Sequence, residues 1–289
     1  MIMEDELYKE IYRMLRQTGN NKVPQRGTYT DEDVVLTYLW AVLHDRPTYW
    51  ACQKTNWPIW YRRKPLPTAS TMSRRLRTES VQGLMLQLER QLHNRFPANL
   101  CRWIDAKPLP ISHCSKDKQA GFGPGAGCMT KGYKLYTIAD KMQGFVIWTV
   151  RPINNPEWVV AHELINKLNS EGYLVGDRAY DTNRLYDSAH AKDVQLVTPH
   201  RWKTAKGLGH RKSSPHRLRA MSFKDSLMGQ ALLASRDNID RMYGQLTNLG
   251  FGLSPLPNWV RTQFRVEMWV RGKLIFYHLW RCRQHAKTG

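Results

Sequence analysis

Three aspartates in this 289-residue chain have the surroundings that phosphodiester chemistry needs: Asp105, Asp177 and Asp240. In "SEGYLVGDRAYDTNRLY" the apolar run Tyr173-Leu174-Val175 reads as a short buried strand that stops at Gly176. Asp177 then stands at the carboxyl end of a strand, where open α/β sheets hold their ligands. "LCRWIDA" is a second apolar run, read as a strand ending at Asp105. Asp240 follows Arg236 by one helical turn, so the two side chains share a face. The acids are too distant in sequence for local coupling, and only a fold that makes the first two strands parallel neighbours can assemble them. Such a set of hard oxygen ligands suits Mg²⁺ or Mn²⁺. Two such ions about 3.5–4 Å apart activate a water or a 3′-hydroxyl and stabilise the leaving oxygen. Two of the acids also have a local alternative. Asp177 can pair with Arg178 or cap a turn, and Asp240 can form a bridge to Arg236 worth only about 0.3–0.5 kcal/mol if exposed. Glu267, in "FRVEMWVRG", is the alternative third acid.

The elements around these residues fall into two regimes. Residues 1–97 read as an all-helical domain. "YTDEDVVLTYLWAVLHD" starts at Thr30 or Asp31 and continues as an amphipathic stripe. "TASTMSRRLRTES" follows Pro67 with Ser70 or Thr71 as its expected N-cap. It sets Arg74, Arg75 and Arg77 on a short helix, either a DNA-reading face of helix-turn-helix type or a solvated one. Residues 98–289 read as a mixed α/β domain: three strands, then helix, strand, helix, strand. Within it "KLYTIAD" and "GFVIWTVRP" form a hairpin with Gly144 in the turn. A basic insertion at about 200–226 has no apolar period and reads as an exposed loop. "GQALLASRDNIDRMYGQLTN" and the tail "VRGKLIFYHLWRCRQ" read as helices.

Charge narrows the partner. Lys and Arg number 44 against 24 Asp and Glu, a net charge of +20, which calls for a polyanion. No run of about 18 apolar residues offers a membrane span. The acidic start "MIMEDELYKE" is unlike a signal peptide, and the five cysteines are odd in number and form no CxxC pair. A cytoplasmic protein is expected, with nucleic acid as its partner and no membrane. Lys107, Arg178 and Arg236, near the acids, are candidates for holding phosphates, as are Arg201 and Lys203 in the insertion. Trp202 sits among basic residues and could stack on an unpaired base, whereas Trp148 and Trp158 read as packing residues. His113, Cys114 and Cys128 match no standard zinc spacing. "GFGPGAG" lacks the ending of a P-loop and reads as a mobile loop near the site.

The segments "WIDAKPLPI", "GYLVGDRAYD" and "SRDNIDRMYGQL", with "TMSRRLR" before them, resemble the DDE-type transposases of bacterial insertion sequences. The resemblance covers most of residues 30–282. It implies an RNase H-like mixed sheet flanked by helices, preceded by the helical DNA-binding domain. It also implies that Asp105, Asp177 and Asp240 are catalytic metal ligands for Mg²⁺ or Mn²⁺, and that the setting is bacterial and nucleoid-associated. The expected activity is cleavage and transfer of double-stranded DNA, from the terminal repeats of a mobile element to a target, by a homodimer in a synaptic complex. In a large subgroup the third acid lies in Tyr-x2-Arg-x3-Glu-x6-Lys. Arg236 keeps that pattern, but Leu233, Asp240 and Thr247 replace the Tyr, Glu and Lys. The alternatives are a DNA-binding descendant that no longer cuts, and a nuclease that hydrolyses without joining.

Overall fold

A computed structural model describes residues 2–18, 29–62, 65–125, 127–201 and 213–288. Trp202 and Lys203 lie outside the described residues. The chain divides into two compact units, one of residues 1–95, 248–260 and 268–289, the other of residues 96–247 and 261–267.

The first unit is helical. It contains α1 (Ile2–Thr18), α2 (Asp31–Leu43), α3 (Thr48–Ala51), α4 (Ala69–Arg75), α5 (Glu79–His93) and, from Met268 onward, α11 (Gln263–Thr288). The start of α2 is fixed by a capping box. Thr30 Oγ1 accepts from the Asp33 N–H at 3.2 Å, and the Asp33 carboxylate accepts from the Thr30 N–H at 3.1 Å. Every residue from Val34 to Leu43 is buried, so α2 is the central helix of this unit. α11 comes so close to it at Gly272 that a Cβ there would meet Val42 Cγ1 at 2.9 Å, which only glycine avoids. The cap of α4 is Thr68, not Ser70 or Thr71, because the Thr68 hydroxyl is the one that reaches the Thr71 N–H.

The second unit holds a six-stranded sheet. Its strands are β1 (Cys101–Pro110), β2 (Gly121–Pro124), β3 (Met129–Asp140), β4 (Gly144–Pro152), β5 (Gly172–Val175) and β6 (Val194–Val197). The order is β2-β3-β1-β5-β6, with β4 also on β3. The β1–β3 and β3–β4 pairs are antiparallel, whereas β1–β5 and β5–β6 are parallel. The β3–β4 turn is made as expected by Gly144 at φ +87°. Buried Asp140 accepts from the N–H groups of Met142, Gln143 and Asn99 and so closes that turn. The parallel crossovers run through α6 (Glu157–Asn166) and α7 (Asn183–His190). These helices bury Val160, Leu164 and Leu185 against Ile104, Ile138, Leu174 and Leu196 of the sheet.

Several expectations are corrected here. β1 does not end at Asp105 but continues to Pro110, because β3 is long enough to pair with it throughout. The glycine-rich stretch supplies β2, a fourth strand before α6, rather than a loop. Part of the basic insertion is helix α8 (Pro215–Lys224), capped by Ser214 and burying Ala220. The single helix expected over 229–248 is two, α9 (Leu227–Ala234) and α10 (Asp237–Asn248), broken at Ser235. The Ser235 hydroxyl bonds back to the Leu232 carbonyl at 2.6 Å and competes with the helix ladder there. Residues 248–260 and 268–289 group with the helical unit, not with the sheet.

Candidate active site

The register of the parallel pair places the first two acids. Trp103 of β1 lies opposite Val175 of β5, and Asp105 and Asp177 each come two residues later. They therefore occupy corresponding positions on neighbouring parallel paths, both half-buried. Asp105 is within a continuous strand, whereas Asp177 has left the sheet and starts a single 3₁₀ turn, Arg178–Tyr180. The local role foreseen for Asp177 is also present: its carboxylate accepts from the Ala179 N–H at 2.7 Å and caps that turn.

α10 brings the third acid. Two hydroxyls tie the 235–243 segment to β1. Trp103 donates through its indole nitrogen to Ser235 Oγ at 2.9 Å, and Tyr243 donates to the main-chain carbonyl of Asp105 at 3.2 Å. Arg236 and Asp240 lie between these two attachments. Asp240 is more than half exposed and pairs with Arg236 at 3.5 Å, the bridge expected from their spacing. Arg236 also stands 4.0 Å from Asp237.

The electrostatics show that these groups share one neighbourhood. Burial pushes the Asp105 carboxyl up to about 7; the Ala106 N–H opposes this, the charges of Asp177 and Asp240 add to it, and Arg236 pulls the other way. Asp177 is raised as well, first by burial and then by Glu157, with the Ala179 N–H and Arg236 opposing. Arg236 is thus the cation common to all three aspartates. Glu267, half-buried near the start of α11, is not among the leading charges on either strand acid, which are Asp177, Asp240, Glu157 and Arg236.

Among the described residues, no group of three His, Cys, Asp or Glu side chains is close enough to hold a metal ion. Two carboxylates do suffice for Mg²⁺, which is ordinarily held by one or two of them together with water and substrate phosphate. Asp105 and Asp177, half-buried and both raised in pKa, fit that requirement. Asp240 would join them only by loosening its pair with Arg236.

The basic residues are placed unevenly. Lys107 is half-buried, with burial lowering its pKa, and its ammonium lies 5.8 Å from the centre of the Tyr243 ring. Arg178 is exposed, and so is Arg201, whose main-chain N–H binds Asp181. Arg74 and Arg77 are exposed on α4 and its end. Arg75 is engaged instead: it holds Asp31 at 2.6 Å and the Tyr29 carbonyl at 3.2 Å. Trp158, read as a packing residue, is 38% exposed beneath the Arg184 guanidinium at 4.9 Å.

Four residues at the site were not foreseen. Tyr243 stands one turn after Asp240 on the same helix face, and its spacing alone could have shown it. Ser235 carries no such signal, and neither does Tyr180, which is buried and feels the charges of Asp105, Glu157 and Asp177. Glu157, at the start of α6, acts on Asp177 while its carboxylate is held by Lys134 at 2.6 Å. Nothing local in "NPEWVV" points toward the aspartates.

No curated protein matches the chain. Among solved structures it is similar to the piggyBac transposase in a cryo-EM synaptic complex with hairpin DNA, at 11% identity and a TM-score of 0.45, covering 100% of this chain and 74% of that one. The family described as the transposase DDE domain matches residues 97–266. That span is more than half of the sequence and includes Asp105, Asp177 and Asp240: the chain belongs to the DDE-domain transposases.

Proposed function

We propose that this transposase binds the ends of its mobile element and carries out metal-dependent DNA strand cleavage and strand transfer at Asp105, Asp177 and Asp240. The observation that carries the reading is the placement of Asp105 and Asp177 at matching levels of two adjacent parallel strands. We read the sheet, with its antiparallel β4-β3-β1 part continued by parallel β5 and β6, as RNase H-like. We read the helical unit as DNA-binding and the sheet-bearing unit, residues 96–247 and 261–267, as catalytic.

A divalent cation, Mg²⁺ or Mn²⁺, would supply charge neutralisation and a lowered pKa for an attacking water or 3′-hydroxyl. Asp105 and Asp177 would hold it, with Asp240 as the third ligand. Arg236, the counter-charge of all three acids, would move to a DNA phosphate once a cation takes its place. Lys107 on the same strand as Asp105, with Arg178 beside Asp177, would fix the backbone on either side. The +20 charge supplies the attraction to double-stranded DNA, both terminal repeats and target. Joining two ends in one event calls for a homodimer.

The test is a plasmid cleavage and strand-transfer assay in Mg²⁺ or Mn²⁺. Asp105→Ala, Asp177→Ala and Asp240→Ala should each lose joined products, and Glu267→Ala should keep them. Full activity of Asp105→Ala or Asp177→Ala refutes the reading. A second reading, a descendant that binds DNA without cutting, has one specific support: Asp240 is held by Arg236 rather than gathered with the other two acids. Salt-sensitive DNA binding with no metal-dependent product from correct element ends would establish it. Hydrolysed but never joined strands would point to a pure nuclease.

A further inference from the structure

The turn Pro58-Ile59-Trp60 in the helical unit presents two adjacent large apolar side chains to solvent, Ile59 at 80% exposure and Trp60 at 46%. A mobile loop would account for this cheaply, but the turn is braced. Behind it Tyr61 stacks on Trp57 at 4.2 Å, and Trp57 stacks on Trp40 at 4.9 Å. Tyr8 closes the column edge-on against Trp40 and Trp57. The Trp57 indole donates to the Ala51 carbonyl at 2.7 Å, and the Trp40 indole to the Asn56 carbonyl at 2.9 Å. Arg62 folds back on the turn and donates to the Trp57 carbonyl at 2.8 Å. An apolar tip is thus held on a rigid aromatic base.

The chain segment that carries this tip has one sign of charge. Residues 46–62 contain Arg46, Lys54 and Arg62 and no Asp or Glu, and all three cations are exposed. Lys9 of α1 adds a fourth, its ammonium 5.6 Å from the centre of the Trp60 ring. Two copies of such a surface repel each other, so a homodimer contact is disfavoured. A polyanion is favoured, and one with apolar surfaces between its charges suits both the cations and the tip. Duplex DNA is that partner: apolar wedges enter between base steps from the minor groove while Lys and Arg hold the flanking phosphates.

We infer that the Pro58-Ile59-Trp60 turn is a DNA-contacting wedge, with Ile59 and Trp60 entering a base step and Lys9, Arg46 and Lys54 on the adjacent phosphates. This rests on the DNA-binding part of the proposed function and adds contact residues in the helical unit beyond the arginines of α4. The experiment uses the full chain, a mixed-sequence duplex labelled at both ends, fluorescence anisotropy for affinity and energy transfer between the labels for bending. Ile59→Ala/Trp60→Ala is expected to bind about tenfold more weakly and to bend the duplex less. Lys9→Ala/Lys54→Ala should weaken binding and flatten its salt dependence without changing the bend of the bound fraction. Exposed positions leave the fold intact, which circular dichroism checks. Wild-type binding and bending in the Ile59/Trp60 variant overturn the wedge while leaving the proposed function standing. A change in sedimentation instead of in DNA affinity assigns the tip to a second copy and also overturns it. Absence of DNA binding by the wild-type chain removes both readings together.

Discussion

The Tyr243 hydroxyl joins both members of one cross-strand pair. Asp105 of β1 and Thr137 of β3 lie opposite each other, and Tyr243 donates to the Asp105 carbonyl at 3.2 Å while its oxygen lies 2.7 Å from Thr137 Oγ1. Its ring stacks on Phe145 at 5.2 Å. Together with the Trp103–Ser235 bond, this side chain therefore sets how close α10, and with it Asp240, comes to the strand that carries Asp105. Tyr243→Phe keeps the ring and removes only the link. We expect strand cleavage to slow roughly ten- to hundredfold, the scale on which small misplacements act. The fold should lose no more than about 1–3 kcal/mol from the polar groups left behind. Cleavage kinetics beside a denaturation curve give both numbers. A wild-type rate would show that Asp240 does not need this anchor.

Asp105 should display a trade between stability and activity. Its carboxyl is raised by burial and by the like charges of Asp177 and Asp240. A group raised in the folded state favours folding while protonated, and opposes it as pH climbs past that raised value. Asp105→Asn removes the opposing charge but keeps the shape. The metal-free variant should melt higher than wild type at pH 8, by about 2–4 °C for each kcal/mol relieved. It should yield no strand-transfer product. A variant that melts lower at pH 8 would mean that Arg236 already compensates the cluster.

Asp177 was legible in the sequence because a strand end leaves a local pattern: Tyr173-Leu174-Val175 stops at Gly176, and β5 ends at Val175. Asp105 was read from the apolar run in "LCRWIDA", but at a strand end that the structure does not have. What could not be read was where β1 ends, since β1 is prolonged to Pro110 by pairing with β3, a partner distant in sequence. The break at Ser235 was hidden for a related reason. "ALLASRDNID" mixes strong helix formers with Ser, Asn and Asp, which occur inside helices as well as at their ends, and the bond that holds the break, from the Trp103 indole to Ser235 Oγ, comes from another element. Glu157 reached the site through the crossover of α6 onto the sheet, which no spacing encodes. The grouping of 268–289 with the helical unit depends on contacts such as Gly272 against Val42, and these too are long-range.

Asp181, in the same motif as Asp177, makes a second acid-dependent contact. Its side chain is 1% exposed and takes a bidentate bond from Arg217, Nε to Oδ1 and a terminal nitrogen to Oδ2, both at 2.8 Å. Burial alone would raise this carboxyl. The Arg217 bonds, the Arg201 N–H and the Arg217 charge outweigh it and hold the pKa below the ordinary value. A depressed carboxylate stabilises the fold above its unfolded pKa, about 3.9, and that stability is lost as pH falls through the lower folded value. Asp181→Asn should cost about 3–5 kcal/mol near neutrality by stranding Arg217. It should also flatten the acid limb of the stability profile below about pH 4. Equal acid limbs in the two proteins would assign acid unfolding to other carboxylates.

The ion pair of Lys273 and Asp45 should respond unequally to loss of either partner. Lys273 is wholly buried and donates to the Phe251 carbonyl at 3.2 Å, with its ammonium 2.7 Å from Asp45. Asp45 is 38% exposed, so water can solvate its carboxylate if the lysine goes. The reverse is not available: an ammonium in that interior without a full counter-charge either remains at high cost or gives up its proton. Asp45 also sits at φ +50°, a conformation that Asn tolerates as well as Asp does, so Asp45→Asn tests the charge without backbone strain. Asp45→Asn should therefore destabilise the protein more than Lys273→Met, whose thioether chain refills the apolar space beside Trp269. Urea denaturation of the two variants decides it. If Lys273→Met is the more damaging, the bond to Phe251 matters more than the pair.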